Sequence, residues 1–225
     1  MAQVDLVNIT FSNIALDDGD FVVCDGVLEV FGRNILCSGA GDDEAVAHTC
    51  MVSEACERFA YLCVVEAGYA VYPGGTTGFA AHLDPERAAE SAAHELIERS
   101  FLDLLATQPW RQPDRSDSEK WSYLVPRHNL WCSIVRVRCK GTAGWGCAVH
   151  AERAVSIARA KREAAMMATS YTTYGRRGNA IAPLFRAASC LGGHIRIIAL
   201  PTQIVEGKIR HIRRAVWEEM CVQIK

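Results

Sequence analysis

The sequence predicts an α+β fold in which glutamate-bearing helices pack on a mainly antiparallel sheet, with an internal pseudo-repeat. Three observations favour this class. Short apolar segments alternate with turn residues near the N-terminus, and apolar alternation returns at residues 131–139 and 194–200. Two alanine-rich stretches between residues 44 and 106 have helical periodicity, and a third follows from residue 152. We expect a single domain over residues 1–225.

Composition and charge exclude several classes of function. Half of the residues are hydrophobic, 22% are charged, and the net charge is −2, which gives no electrostatic reason for nucleic-acid or membrane binding. No apolar run is long enough to span a bilayer, and the N-terminus lacks the features of a signal peptide. We therefore expect a cytoplasmic protein. The ten cysteines have no Cys-x-x-Cys spacing, so reduced and mostly buried thiols are expected rather than disulfides or zinc.

The N-terminal region predicts short strands joined by turns. The expected strands are residues 4–11, 21–23 and 28–35, with turns at Asp17–Asp20 and Cys24–Gly26. Residues 38–43 predict a flexible loop that ends at a helix N-cap.

Two long helices are expected next. The first runs from about residue 44 to 65, and the second from about 85 to 106 after Asp84 as N-cap. A short strand at residues 68–72 and a glycine-rich loop at 73–78 separate them; such a loop can approach a phosphate, although most are ordinary turns.

The remainder of the chain predicts one more helix and further strands. Residues 108–120 predict an exposed connection, 131–139 a strand and 152–170 the third helix. Arg176 and Arg177 lie on a predicted loop, where a solvated basic loop is expected more often than a phosphate site. A strand at 194–200 is expected to stop at Pro201, and residues 217–224 to form a closing strand or helix.

A doubled motif, Glu-x-x-Glu-Arg, is the strongest functional signal. The first copy is Glu54, Glu57 and Arg58, and the second is Glu95, Glu98 and Arg99. Each copy places two carboxylates and a guanidinium near one helix face. If the four carboxylates converge, they need a cation, and Mg²⁺ with substrate phosphates suits such oxygen ligands. The alternative is that both motifs are solvated helix faces with local ion pairs.

The third helix looks like a diverged copy of the other two. Offsets of zero, four and seven give Ala47, Met51 and Glu54, then Ala88, Ala92 and Glu95, then Ala154, Ala158 and Lys161. In this alignment Lys161 replaces the glutamate. Small residues at this spacing also fit plain close packing of helices.

These motifs together resemble the YcaO family, whose members use ATP to activate a peptide backbone amide. The first family signature is similar to Cys50, Glu54, Glu57 and Arg58 here, where the family has Ser in place of Cys50. The family's loop and second helix are matched by the positions Thr76, Thr77, Gly78, Ala80, Ala88, Ala92, Glu95, Glu98 and Arg99. The resemblance is best over residues 38–106 and weaker over 144–170.

The resemblance implies a nucleotide site and a set of partners. It assigns Glu54, Glu57, Glu95 and Glu98 to Mg²⁺, with Arg58 and Arg99 near phosphate. Cys50, Thr77 and Gly78 would then lie at the nucleotide. Expected partners are a precursor peptide, a leader-binding or second YcaO-like protein, and a second copy in a dimer.

The implied reaction is O-phosphorylation of a backbone amide, which leads to an azoline, a thioamide or an amidine. Thr77 in place of the family's Asn, the diverged third helix and the short chain favour an alternative. In that alternative the chain is a non-catalytic or half-active subunit that binds peptide or supports a full-length partner enzyme.

Overall fold

The computed structural model describes residues 2–3, 5–15, 20–68, 76–108, 112–139, 142–174, 191, 193–206 and 208–218. The chain divides into two compact units, residues 1–96 with 193–225 and residues 97–192. The elements in chain order are β1 (Ala2–Gln3), β2 (Leu6–Ile14), β3 (Phe21–Val30), β4 (Arg33–Gly41), α1 (Glu44–Glu66), β5 (Phe79–His82), α2 (Pro85–Thr107), β6 (Arg115–Asp117), β7 (Lys120–Val125), β8 (Leu130–Cys139), β9 (Thr142–His150), α3 (Arg153–Tyr174), β10 (Ile195–Val205) and β11 (Lys208–Trp217). The α+β class is confirmed.

In the first unit, one helix packs against two sheets. Strands β2, β3 and β4 form an antiparallel meander, and the second sheet has the order β1-β10-β11-β5. Buried side chains of α1, including Met51 and Ala55, share one apolar cluster with Leu28 of the meander and Ile212 of the second sheet. Burial of this cluster fixes α1 against both sheets.

The meander corrects two of the sequence predictions, the turn at Cys24–Gly26 and the single strand over residues 28–35. Residues 21–30 form one continuous strand, so Cys24–Gly26 is not a turn. A Cβ at Gly26 would lie 3.0 Å from the sulfur of Met51, so the glycine makes room for a helix side chain. The actual turn is Phe31-Gly32, where both residues have positive φ. That conformation usually takes Asn-Gly, so the sequence signal here is weak.

The predicted flexible loop at residues 38–43 is also wrong. Ser38 to Gly41 belong to β4 and pair with β3. A Cβ at Gly39 would lie 2.1 Å from the backbone nitrogen of Met51. Gly39 therefore allows the backbone of α1 to pack closely on β4, and it does not make this segment a flexible loop.

Both predicted N-caps are confirmed. The Asp43 carboxylate accepts a hydrogen bond from the backbone N–H of Val46 at 2.8 Å and starts α1. The Asp84 carboxylate accepts hydrogen bonds from the N–H groups of Glu86 and Arg87 at 2.7 and 3.1 Å and starts α2. These bonds satisfy backbone donors that have no partner in the first helical turn.

The second unit repeats the pattern of a meander followed by a helix. Strands β6 to β9 form an antiparallel sheet in chain order, and α3 packs on it. A Cβ at Gly144 would lie 1.9 Å from the carbonyl oxygen of Ala164, and one at Gly146 would lie 2.0 Å from that of Ala160. Glycine and alanine thus bring α3 and β9 together, as they do α1 and β4.

Later parts of the chain depart from prediction in two places. Strand β10 continues through Pro201, which is accommodated where the register with β11 shifts between Leu200 and Gln203. The expected connection at 108–120 contains the short strand β6. Predictions for residues 16–19, 69–75, 109–111, 140–141, 175–190 and 219–225, which include Arg176 and Arg177, lie outside the described residues.

The cysteines at positions 24, 37, 56, 132 and 147 are buried, free thiols. Burial raises the pKa of Cys37 and Cys56 to about 12, so both thiols stay protonated near neutral pH. No helix among the described residues is long and apolar enough to cross a membrane.

The close contact between α3 and β9 predicts that one methyl group added at Gly144 destabilises the protein. We expect Gly144→Ala to lower the free energy of unfolding by about 1–3 kcal/mol, because its Cβ would overlap the backbone of α3. Chemical denaturation followed by circular dichroism measures the change. Gly32→Asn is the matched control, since Gly32 has positive φ and a Cβ added there would meet no atom within 4 Å. Equal stability of the two variants would contradict the packing argument.

Candidate functional site

The first glutamate of α1 is held at both oxygens. One oxygen of Glu54 accepts a hydrogen bond from the backbone N–H of Ser38 in β4. The other accepts from the guanidinium of Arg58, whose Nε lies 2.9 Å away. The interaction with Arg58 spans one helical turn, as the motif spacing predicts. Glu54 is therefore fixed between the helix and the edge of the meander.

The carboxylate of Asp25 is connected to Glu54 through Ser38. The Ser38 hydroxyl donates a hydrogen bond to Asp25 of β3, directly opposite it in the sheet. Ser38 thus connects Asp25 to Glu54, one through its hydroxyl and the other through its backbone N–H. The sequence analysis assigned neither residue to the site, because it placed Asp25 in a turn and Ser38 in a loop.

The second glutamate of α1 reaches the other sheet of the first unit. Glu57 accepts a hydrogen bond from the backbone N–H of Ala81 in β5 at 3.0 Å. Burial, with a smaller contribution from Glu54, raises the pKa of the Glu57 carboxyl to about 8, although the Ala81 N–H and Arg58 oppose the shift. The α1 motif is therefore not a solvated helix face.

The end of the glycine-rich loop leads into the strand that holds Glu57. Thr77 is buried, and Gly78 has a φ of +76°. The Gly78 carbonyl accepts a hydrogen bond from the N–H of Ala215 at 2.7 Å, and a Cβ at Gly78 would lie 2.5 Å from the carbonyl oxygen of Ala215. Glycine is therefore required here by both conformation and space. Cys50, by contrast, lies exposed on α1.

The second copy of the motif lies on α2, which begins in the first unit and ends in the second. Glu95 is partly buried. Glu98 is buried to 9% exposure, and its carboxylate lies 3.4 Å from the guanidinium of Arg99. A carboxylate at this degree of burial is again unlike a solvated helix face.

The structure corrects the alignment of the third helix. Helices α1, α2 and α3 begin at residues 44, 85 and 153, so Glu54, Glu95 and Glu163 each lie ten residues after the start. The offsets of zero, four and seven are filled in α3 by Ser156, Ala160 and Glu163, and the first two are fully buried. Ala154 and Ala158, which the sequence alignment used, are exposed.

Glu163 is therefore the counterpart of Glu54 in α3, which the sequence analysis missed. Its carboxylate accepts a hydrogen bond from the backbone N–H of Cys147 in β9 at 2.7 Å, as Glu54 does from Ser38. A hydrogen bond to Cys132 and burial raise the pKa of the Cys147 thiol, and the charges of Glu98 and Glu163 raise it further. The charges of Glu98 and Glu163 therefore both act on the thiol of Cys147. Helix-start alignment could have found Glu163, but alanines on both faces of α3 hid the register.

The remaining positions of the motif differ in α3. Met166 and Met167 stand where α1 has Glu57 and Arg58. The third helix thus keeps the first glutamate and replaces the second glutamate and the arginine with apolar side chains.

Comparison with solved structures identifies the fold. YcaO from Methanopyrus kandleri, in a structure bound with AMPPCP and Mg²⁺, has a TM-score of 0.68 and 13% sequence identity over 94% of this chain and 85% of its own. The chain has a YcaO-like fold. The E. coli microcin synthetase McbBCD complex with pro-MccB17 bound has a TM-score of 0.60 and 8% identity over 93% of this chain and 87% of the matched chain.

A second structure of the McbBCD complex gives a TM-score of 0.57 and 9% identity, again over 93% of this chain and 87% of the matched one. The sequence matches no protein-family model and no curated protein. The YcaO-like fold that the motifs indicated is thus supported by three-dimensional similarity at low sequence identity.

The raised pKa of Glu57 predicts that the free energy of unfolding decreases as the pH rises. Its carboxyl goes from an ordinary value of 4.5 to about 8 on folding, so the folded protein holds a proton that the unfolded chain releases. Stability should therefore fall as pH rises through this window, by at most about 1.4 kcal/mol per pH unit. Glu57→Gln should remove the loss.

Denaturant unfolding of the wild type and Glu57→Gln at several pH values between about 5.5 and 8, in metal-free buffer, measures this difference. Glu66→Gln is the control, because Glu66 is exposed at the end of the same helix. Parallel stability–pH curves for wild type and Glu57→Gln would show that Glu57 does not titrate in this range.

Proposed function

We propose that this protein is an ATP- and Mg²⁺-dependent enzyme that activates a peptide backbone amide. The single observation that supports this most is the carboxylate pair Glu54 and Glu57. Both are fixed by strand N–H groups, and one guanidinium, Arg58, is their only ion-pairing partner among the described residues. If both carboxylates were ionised, their charge would exceed that of Arg58 by one, and burial, with a smaller contribution from Glu54, raises the pKa of Glu57 to about 8.

The chemistry of Glu54 and Glu57 suits a hard divalent cation, although the described residues contain no cluster of three or more His, Cys, Asp or Glu side chains that could hold a metal ion. Carboxylate oxygens are the side-chain ligands that Mg²⁺ prefers, and a cation beside Glu57 would stabilise the ionised form that burial opposes. In this proposal Glu54 and Glu57 of α1 and Glu95 and Glu98 of α2 hold Mg²⁺. The similar fold of the M. kandleri YcaO, which is bound with AMPPCP and Mg²⁺, supports ATP and Mg²⁺ as the cofactors.

The roles of the other residues follow from their positions. Arg58 orients Glu54 by a two-point hydrogen bond, and Arg99 lies beside Glu98. Thr77 and Gly78 form the rigid end of the loop at the nucleotide, fixed by the bond between Gly78 and Ala215. Glu163 is held as Glu54 is, and we add it to the proposed carboxylate set. Cys50 would contact the nucleotide from the exposed side of α1.

The nucleotide would supply the phosphoryl group that turns an amide oxygen into a leaving group. A thiol, hydroxyl, sulfide or amine can then add to the amide carbon, which gives an azoline, a thioamide or an amidine. The protein's own contribution would be to position the two substrates and to provide fixed charges around them. The E. coli complex with pro-MccB17 supports a precursor peptide as substrate and partner proteins in assembly; a dimer remains an expectation.

One observation favours the second candidate, a non-catalytic or half-active subunit that binds peptide or supports a full-length partner. Met166 and Met167 replace the second glutamate and the arginine in α3, so the third helix offers one carboxylate at these positions. A protein that has lost nucleotide binding would tolerate such replacements.

Calorimetric titration of Mg²⁺-ATP into the purified chain separates the two candidates. We expect about micromolar affinity in the wild type and at least a roughly tenfold loss in Glu54→Gln and Glu57→Gln, because each variant removes one negative charge from the α1 pair. Glu66→Gln, exposed on the same helix, should bind as the wild type does.

Circular dichroism confirms that the variants are folded. Binding that is unaffected by both substitutions would place the nucleotide elsewhere. A folded wild type that binds no Mg²⁺-ATP would overturn the enzyme proposal and leave the partner-subunit candidate, for which co-purification with a second protein is the next test.

A further inference from the structure

An aromatic and cationic patch lies on one face of the sheet in the second unit. Trp121 of β7 stacks on Trp145 of β9, with ring centroids 5.5 Å apart and an interplanar angle of 26°. Arg136 of the intervening strand β8 has its guanidinium carbon 5.6 Å from the Trp145 ring centroid. With Arg138 and Glu119, these residues form what we call the Trp145 patch.

The register of the sheet places the patch on the face away from α3. Arg136 pairs directly with Trp145, so their side chains share a face. Gly144 and Gly146, which flank Trp145 in β9, approach the backbone of α3 and therefore lie on the opposite face. The patch is open: Trp145 is 44% exposed and the Arg138 side chain is 68% exposed.

The charges of the patch are unbalanced. Arg136 and Arg138 share the carboxylate of Glu119, at 3.6 and 3.7 Å, and neither has another ion pair among the described residues. The Nε atom of Arg136 is buried and has no hydrogen-bond partner in the described part of the chain. One carboxylate for two guanidinium groups leaves an excess positive charge and a donor that needs an acceptor.

The two indoles are a second feature of the patch. Trp145 is exposed and Trp121 is partly buried, and a stacked aromatic pair beside arginine has the composition of a binding hot spot. The motif glutamates do not take part in these contacts, so the proposed catalytic function does not explain them.

We propose that the Trp145 patch binds an acidic peptide segment that contains an aromatic side chain. Carboxylates of the segment pair with Arg136 and Arg138, and its aromatic ring packs on the exposed surface of Trp145 and Trp121. The patch has one excess positive charge and includes Glu119, which suits one or two carboxylates better than the continuous charge of a nucleic-acid backbone. A symmetric contact with a second copy would place arginines against arginines.

Fluorescence anisotropy of a labelled five-residue peptide, Glu-Asp-Trp-Asp-Glu, tests the proposal at low ionic strength. We expect binding of about 100 μM, with a loss of about tenfold in both Trp145→Ala and Arg138→Ala. Glu-Asp-Ala-Asp-Glu and Lys-Lys-Trp-Lys-Lys should bind at least roughly tenfold more weakly than the first peptide. Phe31→Ala, which removes an exposed aromatic ring from the first unit, should leave binding unchanged.

Arg138→Glu provides a second variant with little risk to folding, because its side chain is mostly exposed. It should reverse the preference, so that the basic peptide binds better than the acidic one. The experiment contains no nucleotide, so its outcome is independent of the Mg²⁺-ATP titration.

Three results would overturn the proposal. The first is peptide binding that is unchanged in Trp145→Ala and Arg138→Ala. The second is tighter binding of a single-stranded oligothymidine than of the acidic peptide, which would indicate nucleic acid as the ligand. The third is a wild-type dimer, measured by light scattering, that Trp145→Ala converts to monomer while no peptide binds.

Discussion

The close contact between glycine in a strand and the backbone of a helix is the constraint on which the rest of this structure depends. A Cβ at Gly39 would lie 2.1 Å from a backbone atom of α1, and one at Gly146 would lie 2.0 Å from a backbone atom of α3. In both places the neighbouring residue of the strand, Ser38 or Cys147, donates its N–H to a glutamate of that helix. A larger residue would move the helix away and lengthen these bonds.

Much of the fold could be predicted from the sequence because its signals are local. Asp43 and Asp84 are N-cap residues with a mechanism that acts within one turn, and the helices begin where these residues predict. The spacing of Glu54 and Arg58 also fixes their contact, since residues four apart on a helix are neighbours.

The rest depends on contacts between elements that are distant in sequence. Gly26 and Gly39 suggested a turn and a loop, whereas each makes room for α1. The strand donors to Glu54 and Glu57 are backbone N–H groups. Every residue except proline has one, so the residue type does not indicate which strand positions bind the glutamates. The register of α3 could not be found from small residues alone, because exposed Ala154 and buried Ala160 are the same residue type.

The three helices also share an electrostatic property that their sequences conceal. At the three motif positions, α1 and α2 each have two glutamates and one arginine, while α3 has Glu163 and two methionines. Every helix therefore has one excess negative charge there, although α3 has lost two charged side chains. Loss of the second glutamate alone would remove this excess charge, because the arginine would balance the first glutamate, and loss of the arginine alone would leave two carboxylates.

Replacement of both keeps the single excess charge, and exchange of a buried pair of opposite charges for apolar side chains is well tolerated. The backbone N–H of Cys147 donates a hydrogen bond to Glu163. In α1 there are two carboxylates to satisfy. Arg58 and Ser38 satisfy Glu54, and Glu57 is left with a single N–H and a pKa raised to about 8. Burial thus keeps Glu57 protonated near neutral pH, which makes that carboxyl the point where a bound cation would change the protein most.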